Sequence, residues 1–244
     1  MLEMFVSSSF WVDVLKIIMI DILLSGDNAV VIALACRNLP EAQRRKGVLY
    51  GMAGAVGLRI VLTFFAVSLL ALPYLKLIGA LLLIWIGIKL ILPEDEHDEG
   101  NIKADARLLG AIKTIIIADF VMSLDNVLGV AAAAKGNVSL LVFGLLISIP
   151  LIAWSSQLVL KLIDRFPYII FGGGALLGYV AGEMLVSEAL FVPLLESQHM
   201  LHWLIPAACA VLVLVVGKWL ASRQSVQEKA VDLVDVSVTP GKQN

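Results

Sequence analysis

The sequence predicts an all-α membrane protein of seven transmembrane helices, arranged as two inverted three-helix repeats followed by a C-terminal seventh helix. Three observations predict it. Of the 244 residues 60% are hydrophobic, and the mean hydropathy is +0.94. That is more apolar surface than a soluble domain of this size can hide. The apolar residues gather into seven runs, each near the ~20 residues a helix needs to cross hydrocarbon. A motif of the form DxxxSxDN, which begins at Asp21, also returns at Asp119.

The runs cover residues 12–35, 47–71, 74–92, 108–133, 138–163, 167–190 and 201–221. The first is expected to be a permanent span and not a cleaved leader, because Met1 to Phe10 carries Glu3 but no basic residue. Ala71-Leu72-Pro73-Tyr74 separates the second and third runs, and Asp164-Arg165-Phe166-Pro167 the fifth and sixth. Proline can start a helix but resists its interior, so Pro150 inside the fifth run predicts a kink. Gly174, Gly178 and Gly182 recur every fourth residue and predict a close-packing face on the sixth span. His199, His202 and Trp203 read as interfacial residues where the seventh begins. Residues 1–221 then form one transmembrane domain, and 222–244 a mobile cytoplasmic tail.

Positive charge orients the bundle. Arg37, Arg44, Arg45 and Lys46 follow the first span, Lys103 and Arg107 the third, and Lys161 and Arg165 the fifth, with Lys218 and Arg223 near the end of the seventh. Lys135 stands alone on the opposite side. The N-terminus is therefore expected outside and the C-terminus in the cytoplasm. The acidic run around His97 reads as a solvated loop.

The halves match residue by residue. Asp21 and Asp119 lie 98 residues apart, and the same offset pairs Ser25 with Ser123, Asp27 with Asp125 and Asn28 with Asn126. Farther along, LPYLKLIGALL at 72–82 matches FPYIIFGGGALL at 166–177. Spans one to three thus repeat as four to six. Three is odd, so the second copy enters the membrane from the opposite side, as in secondary transporters with a site near the midplane.

An ionised Asp at a helix centre costs ~2.5–3.5 kcal/mol even on the lenient insertion scale. Asp21, Asp27, Asp119 and Asp125 would together cost ~10 kcal/mol if unpaired, so protons, a basic side chain or a bound cation must compensate. Asp21, Ser25 and Asn28 share one helical face. Asp27 lies about 240° around from Asp21 at ~100° per residue, off that face. Either it meets another neighbour or the helix breaks near Gly26; Ser-Gly-Asp-Asn is weak helix-forming sequence and favours the break. With the spans antiparallel, Asp27 should approach Asp119 in depth, and Asp21 should approach Asp125.

The candidate site is therefore Asp21, Asp27, Asn28, Asp119, Asp125 and Asn126, supported by Ser25 and Ser123. Such hard oxygen ligands suit Mn²⁺, Mg²⁺ or Ca²⁺. Close carboxylates can also share a proton, which motivates a hypothesis of proton exchange for metal. The bland alternative is a set of structural polar contacts between helices. Arg59, deep in the second span, can neutralise an aspartate of the empty site or reach for the surface. Lys89 matches Glu183 across the repeat; the two can pair, but snorkelling is favoured because both sit near helix ends.

Several classes are set aside. A net charge of −2 and no long basic tract leave nothing for nucleic acid. There is no zinc-type Cys/His spacing, HExxH, Ser/His/Asp set or nucleophile elbow, so no enzyme and no prosthetic group is expected. Cys36 and Cys209 read as free buried thiols.

LSGDNAVVIALA and MSLDNVLGVAAAA, in two three-span halves plus a seventh span, resemble the TerC family of integral membrane proteins. The resemblance spans about residues 12–221 and is to the short form, without a large cytoplasmic addition. It implies a cytoplasmic-membrane protein of metal-ion homeostasis; the family is named for tellurite resistance and several members export manganese. It further implies that Asp27, Asn28, Asp125 and Asn126, with Asp21 and Asp119 upstream, hold the ion. The expected partners are the lipid bilayer, a divalent cation as transported substrate and, under the exchange hypothesis, protons; a homo-oligomer is compatible with all of this. The rival readings are a non-transporting membrane partner in metal supply or stress resistance, and a proton-coupled exporter of a small organic solute.

Overall fold

The computed structural model describes residues 8–70, 72–93, 101–134, 138–188, 190–192 and 200–238. They form seven helices: α1 (Ser8–Cys36), α2 (Glu41–Leu70), α3 (Leu75–Ile91), α4 (Asn101–Ala134), α5 (Val138–Arg165), α6 (Ile169–Val186) and α7 (Leu201–Val238). No strand occurs among the described residues. Four stretches are long and apolar enough to cross a membrane: Glu41–Phe65, Val142–Arg165, Ile169–Val186 and Leu201–Gln224. Gly26–Cys36 is a shorter apolar helix. Helix α3 has 17 residues, about 25 Å at ~1.5 Å per residue, a little short of a ~30 Å hydrocarbon core.

One expectation is corrected. Helix α1 does not break near Gly26; it is continuous from Ser8 to Cys36. The weak local propensity is overridden by packing on both sides of the motif, with Ile17 and Leu34 buried. Helix α7 runs on past residue 222, into the segment expected as a cytoplasmic tail, as far as Val238. Lys89 and Glu183 do not pair, in keeping with the favoured reading: the Lys89 ammonium lies over the Trp85 ring, 5.3 Å from its centroid, and Glu183 is exposed. Helix α5 stays helical through Pro150. The acidic run around His97, Lys135 and His199 lie outside the described residues.

The helices do not pack in chain order. Helix α2 lies along α4, and α1 lies along α5. Helix α3 packs on α6, α1 on α4, and α7 closes over α6 and α3. Chain neighbours α1 and α2, or α4 and α5, touch far less. The first three helices thus bury their apolar side chains mainly against the next three. Leu34, Met52, Leu83, Ile115, Leu160 and Leu177, one from each of α1 to α6, belong to a single core. A smaller cluster joins Val14 and Ile17 of α1 to Val56 of α2. Large apolar side chains such as Phe64, Phe65, Trp154, Val215 and Trp219 point outward, as a surface bathed in lipid requires.

The glycine face predicted on the sixth span is present. A Cβ on Gly178 would stand 2.7 Å from the Cys209 carbonyl oxygen, and one on Gly182 would overlap the Pro206 backbone of α7. Gly174 turns instead to Ile91 and Gly87 of α3. The turns that open α3 and α6 differ despite their matched Pro-Tyr pairs: Tyr74 has a left-handed backbone, φ 65°, whereas Tyr168 is right-handed, φ −65°.

Charges just beyond the C-terminal ends of α1 and α6 hold both ends of α3. At its C-terminal end the buried Arg37 donates to the Leu90 carbonyl and, at 2.8 Å, to the Leu92 carbonyl. At its N-terminal end the buried Glu188 carboxylate accepts the Leu77 N–H at 3.2 Å. Both signs complement the helix dipole and satisfy terminal backbone groups that lipid cannot. Arg37 is thus a structural clasp and not only a loop charge that orients the bundle. Arg44 buttresses it, donating to the Arg37 carbonyl at 2.6 Å and pairing with Asp164 at 2.8 Å.

Arg37→Ala should lower the stability of the detergent-solubilised protein by about 2–3 kcal/mol, because one buried and one part-buried carbonyl lose a charged donor. Asp164→Ala, which removes half of a solvent-exposed pair, should cost less than about 1 kcal/mol. Thermal unfolding of the two variants beside wild type checks the order; equal losses would mean that Arg37 does not clasp α3.

Candidate functional site

The polar motifs of α1 and α4 come together at the crossing of these two helices, and α2 adds a cation. Asp119 and Ser123 stand one helical turn apart on α4, so both face the same way. The Ser123 hydroxyl donates to Asp119 Oδ2 at 3.2 Å. From α1, Asn28 Nδ2 donates to Asp119 Oδ1 at 3.1 Å. From α2, Arg59 Nη2 donates to the same oxygen at 2.6 Å, and Arg59 Nε donates to Ser123 Oγ at 3.0 Å. One carboxylate therefore ties three helices.

All four residues are shielded from solvent. Relative exposure is 2% for Arg59, 6% for Asp119, 4% for Asn28 and zero for Ser123. A charge so placed is tolerated only when paired and hydrogen-bonded, which this cluster achieves. One atom is left over: Asn28 Oδ1 is buried and has no hydrogen-bond partner. An orphaned buried acceptor costs ~1–3 kcal/mol and marks a place built for something besides stability.

Asp27 is half-buried beside this cluster. Its Oδ1 accepts the Asn28 backbone N–H at 2.9 Å, a local bond that competes with the helical ladder. The charges of Arg59 and Asp119 lie near enough to act on Asp27. Asn126 is half-buried on α4. Asp21, Ser25 and Asp125 lie on the same two helices, but their side chains are outside the described residues, as is the expected approach of Asp21 to Asp125. Among the described residues, no three His, Cys, Asp or Glu side chains gather as a ready metal cage.

Arg59 is the member that motif matching leaves out. It belongs to neither DxxxSxDN copy, and it sits in GLRIVLTF with no carboxylate within four residues on either side. That isolation was the available signal: a cation deep in an apolar span needs an anion from elsewhere. Of the two roles open to it from sequence, neutralising an aspartate is the one the structure displays.

Arg59→Gln and Asp119→Asn should each destabilise the solubilised protein by about 3–5 kcal/mol, since each removes one partner of a buried ion pair. The double variant should lose clearly less than the sum, because the two residues are in direct contact and their shared interaction is lost only once. A thermal double-variant cycle reads the coupling, and additive losses would show that the pair is not maintained in the folded protein.

Comparison with known proteins follows this geometry. Residues 6–225 match the family model described as integral membrane protein TerC family. The chain is 42% identical over 190 residues to the uncharacterized membrane protein YjbE of Bacillus subtilis, covering 78% of this chain and 86% of that one. It is 28% identical over 222 residues to YceF of the same organism, covering 88% and 84%. With the UPF0053 inner membrane protein YgdQ of Escherichia coli it shares 26% over 173 residues, covering 64% and 73%. No solved structure matches.

Proposed function

The chain belongs to the integral membrane protein TerC family, and from that premise we propose that it is a carrier, not an enzyme, that exports a divalent cation, Mn²⁺ first among the candidates, through the Asp-Asn site between α1 and α4. As an integral multi-pass protein it contacts the lipid bilayer directly. The observation that carries the reading is the meeting of Asn28 from one motif copy with Asp119 from the other, at 3.1 Å, in a site closed to solvent.

The ligand chemistry supports a hard cation. Carboxylate, carboxamide and hydroxyl oxygens are what Mn²⁺, Mg²⁺ and Ca²⁺ prefer, and no His or Cys stands among the described site residues to favour a softer metal. The orphaned Asn28 Oδ1 is a neutral oxygen ligand in waiting.

Two inverted three-helix repeats and a seventh helix are the architecture that goes with this reading. The duplicated motif supports it, and so does the packing: α2 on α4 is matched by α5 on α1, while α3 on α6 and α1 on α4 are their own counterparts. That is the pattern a twofold axis in the membrane plane would produce. The Lys and Arg distribution supports an outside N-terminus and a cytoplasmic C-terminus. The direction, outward, follows the family resemblance.

Purified protein in liposomes should give saturable Mn²⁺ flux, and Asp27→Asn and Asp125→Asn should each reduce it at least about tenfold, the scale expected when a charged ligand is lost. Competition by Ca²⁺ and Mg²⁺ ranks the cations. No flux would bring forward a non-transporting membrane partner in metal supply or stress resistance. Flux of organic solutes in place of metal would bring forward a solute exporter. If the acids return protonated, efflux should quicken under an inward proton gradient with the membrane potential clamped; insensitivity would remove protons from the cycle.

A further inference from the structure

We infer that Arg59 is a built-in counter-cation, which occupies Asp119 between substrate ions and which a divalent cation must displace in order to bind. The inference rests on the transporter reading above and concerns how the emptied site crosses the membrane.

Three features of the site lead here. First, the guanidinium and a metal ion compete for one atom. Asp119 Oδ1 already accepts from Arg59 Nη2 at 2.6 Å and from Asn28 Nδ2 at 3.1 Å. A dication at the ~2.0–2.6 Å of an oxygen-ligated metal would occupy the space these N–H groups fill, and it would repel the guanidinium. Second, Asn28 is set for exchange. It points its NH₂ at Asp119 and leaves Oδ1 buried without a partner. With Arg59 withdrawn, rotation of the carboxamide would present that oxygen to the incoming ion at no change in volume. Asn28 thus suits both states: it donates to the carboxylate when Arg59 holds it, and ligates when a metal does.

Third, the cation is not duplicated although the acids are. Gly51 of α2 packs on Ile115 of α4, and Gly144 of α5 packs on Ile17 of α1, each leaving 2.5 Å for a Cβ. These contacts are equivalent under the repeat, because Ile17 and Ile115 carry the same offset as the two motifs. The register they set places Ile152 of α5 where α2 has Arg59. A residue needed only to glue the halves would serve both; this chain keeps one.

The consequence is kinetic. An unpaired Asp119 would hold the empty carrier back, because moving a bare carboxylate through a low-dielectric site is costly. Arg59 removes that charge for the return step, whatever protonation the other aspartates carry. Arg59 is therefore a positioning residue for the unloaded state and not a ligand.

The test separates the return step from translocation of the loaded carrier. In proteoliposomes, net Mn²⁺ efflux requires the empty carrier to return, whereas exchange of Mn²⁺ inside for labelled Mn²⁺ outside does not. Arg59→Gln should cut net efflux at least tenfold and leave exchange within about threefold of wild type. Parallel loss of both, or undiminished net efflux, would overturn the inference. Wild type that moves no Mn²⁺ in either assay would instead overturn the transporter reading, which keeps the two failures distinct.

Ser123→Ala supplies an answer that does not depend on the folding of Arg59→Gln. It removes the hydroxyl that accepts from Arg59 and donates to Asp119 Oδ2, but keeps the ion pair. Easier displacement should tighten Mn²⁺ binding to the solubilised protein by about two- to tenfold, the worth of one hydrogen bond. Unchanged or weaker binding would mean that Arg59 and the metal do not compete.

Discussion

The Arg59 guanidinium and the Asp119 carboxylate meet at 2.6 Å, both almost wholly screened from solvent, and the middle of the bundle depends on that contact. In a bilayer neither charge can borrow water, so each needs the other. The pair joins α2 to α4, and Asn28 brings α1 to the same oxygen. Removing the pair would take away both an anchor for three helices and the polarity that makes a cation site conceivable. Structure and proposed chemistry draw on the same atoms.

The remaining polar contacts follow the same constraint at the bundle's ends. Arg37 and Glu188 hold the two ends of α3 with charges of the appropriate sign, and α3 is the shortest of the described helices. A segment a little short for the hydrocarbon has its terminal backbone groups closest to lipid, where an unmet carbonyl or N–H is most costly. Because α1 leans on α5 and α2 on α4, the site assembles only once both halves of the chain are in place.

Much of this was legible along the chain, and the misses have physical causes. The apolar runs became helices, because a long apolar run in hydrocarbon has no other way to satisfy its backbone. The helices outrun the apolar segments where polar sequence continues them, as at Glu41 and Asn101. The break expected at Ser-Gly-Asp-Asn did not form, since local propensity is weak beside packing on either side of it. Asp119, Ser123, Asn28 and Asp27 were marked by being polar where polarity is costly. Arg59 carried the same mark but no motif. Its membership in the site depends on which helix α2 lies against, and spacing along the chain does not encode that.

By itself, the sequence determined the class, the duplicated acidic motif and the residues that had to find partners, because hydrophobic length and buried charge are properties of the chain read in one dimension. Only the tertiary structure decided who the partners are. It set α2 against α4, gave Asp119 to Arg59, left Asn28 Oδ1 with none, and turned Arg37 from a loop charge into a clasp. Those outcomes depend on contacts between residues 53 to 91 positions apart, which the packing of helices fixes and local pattern does not.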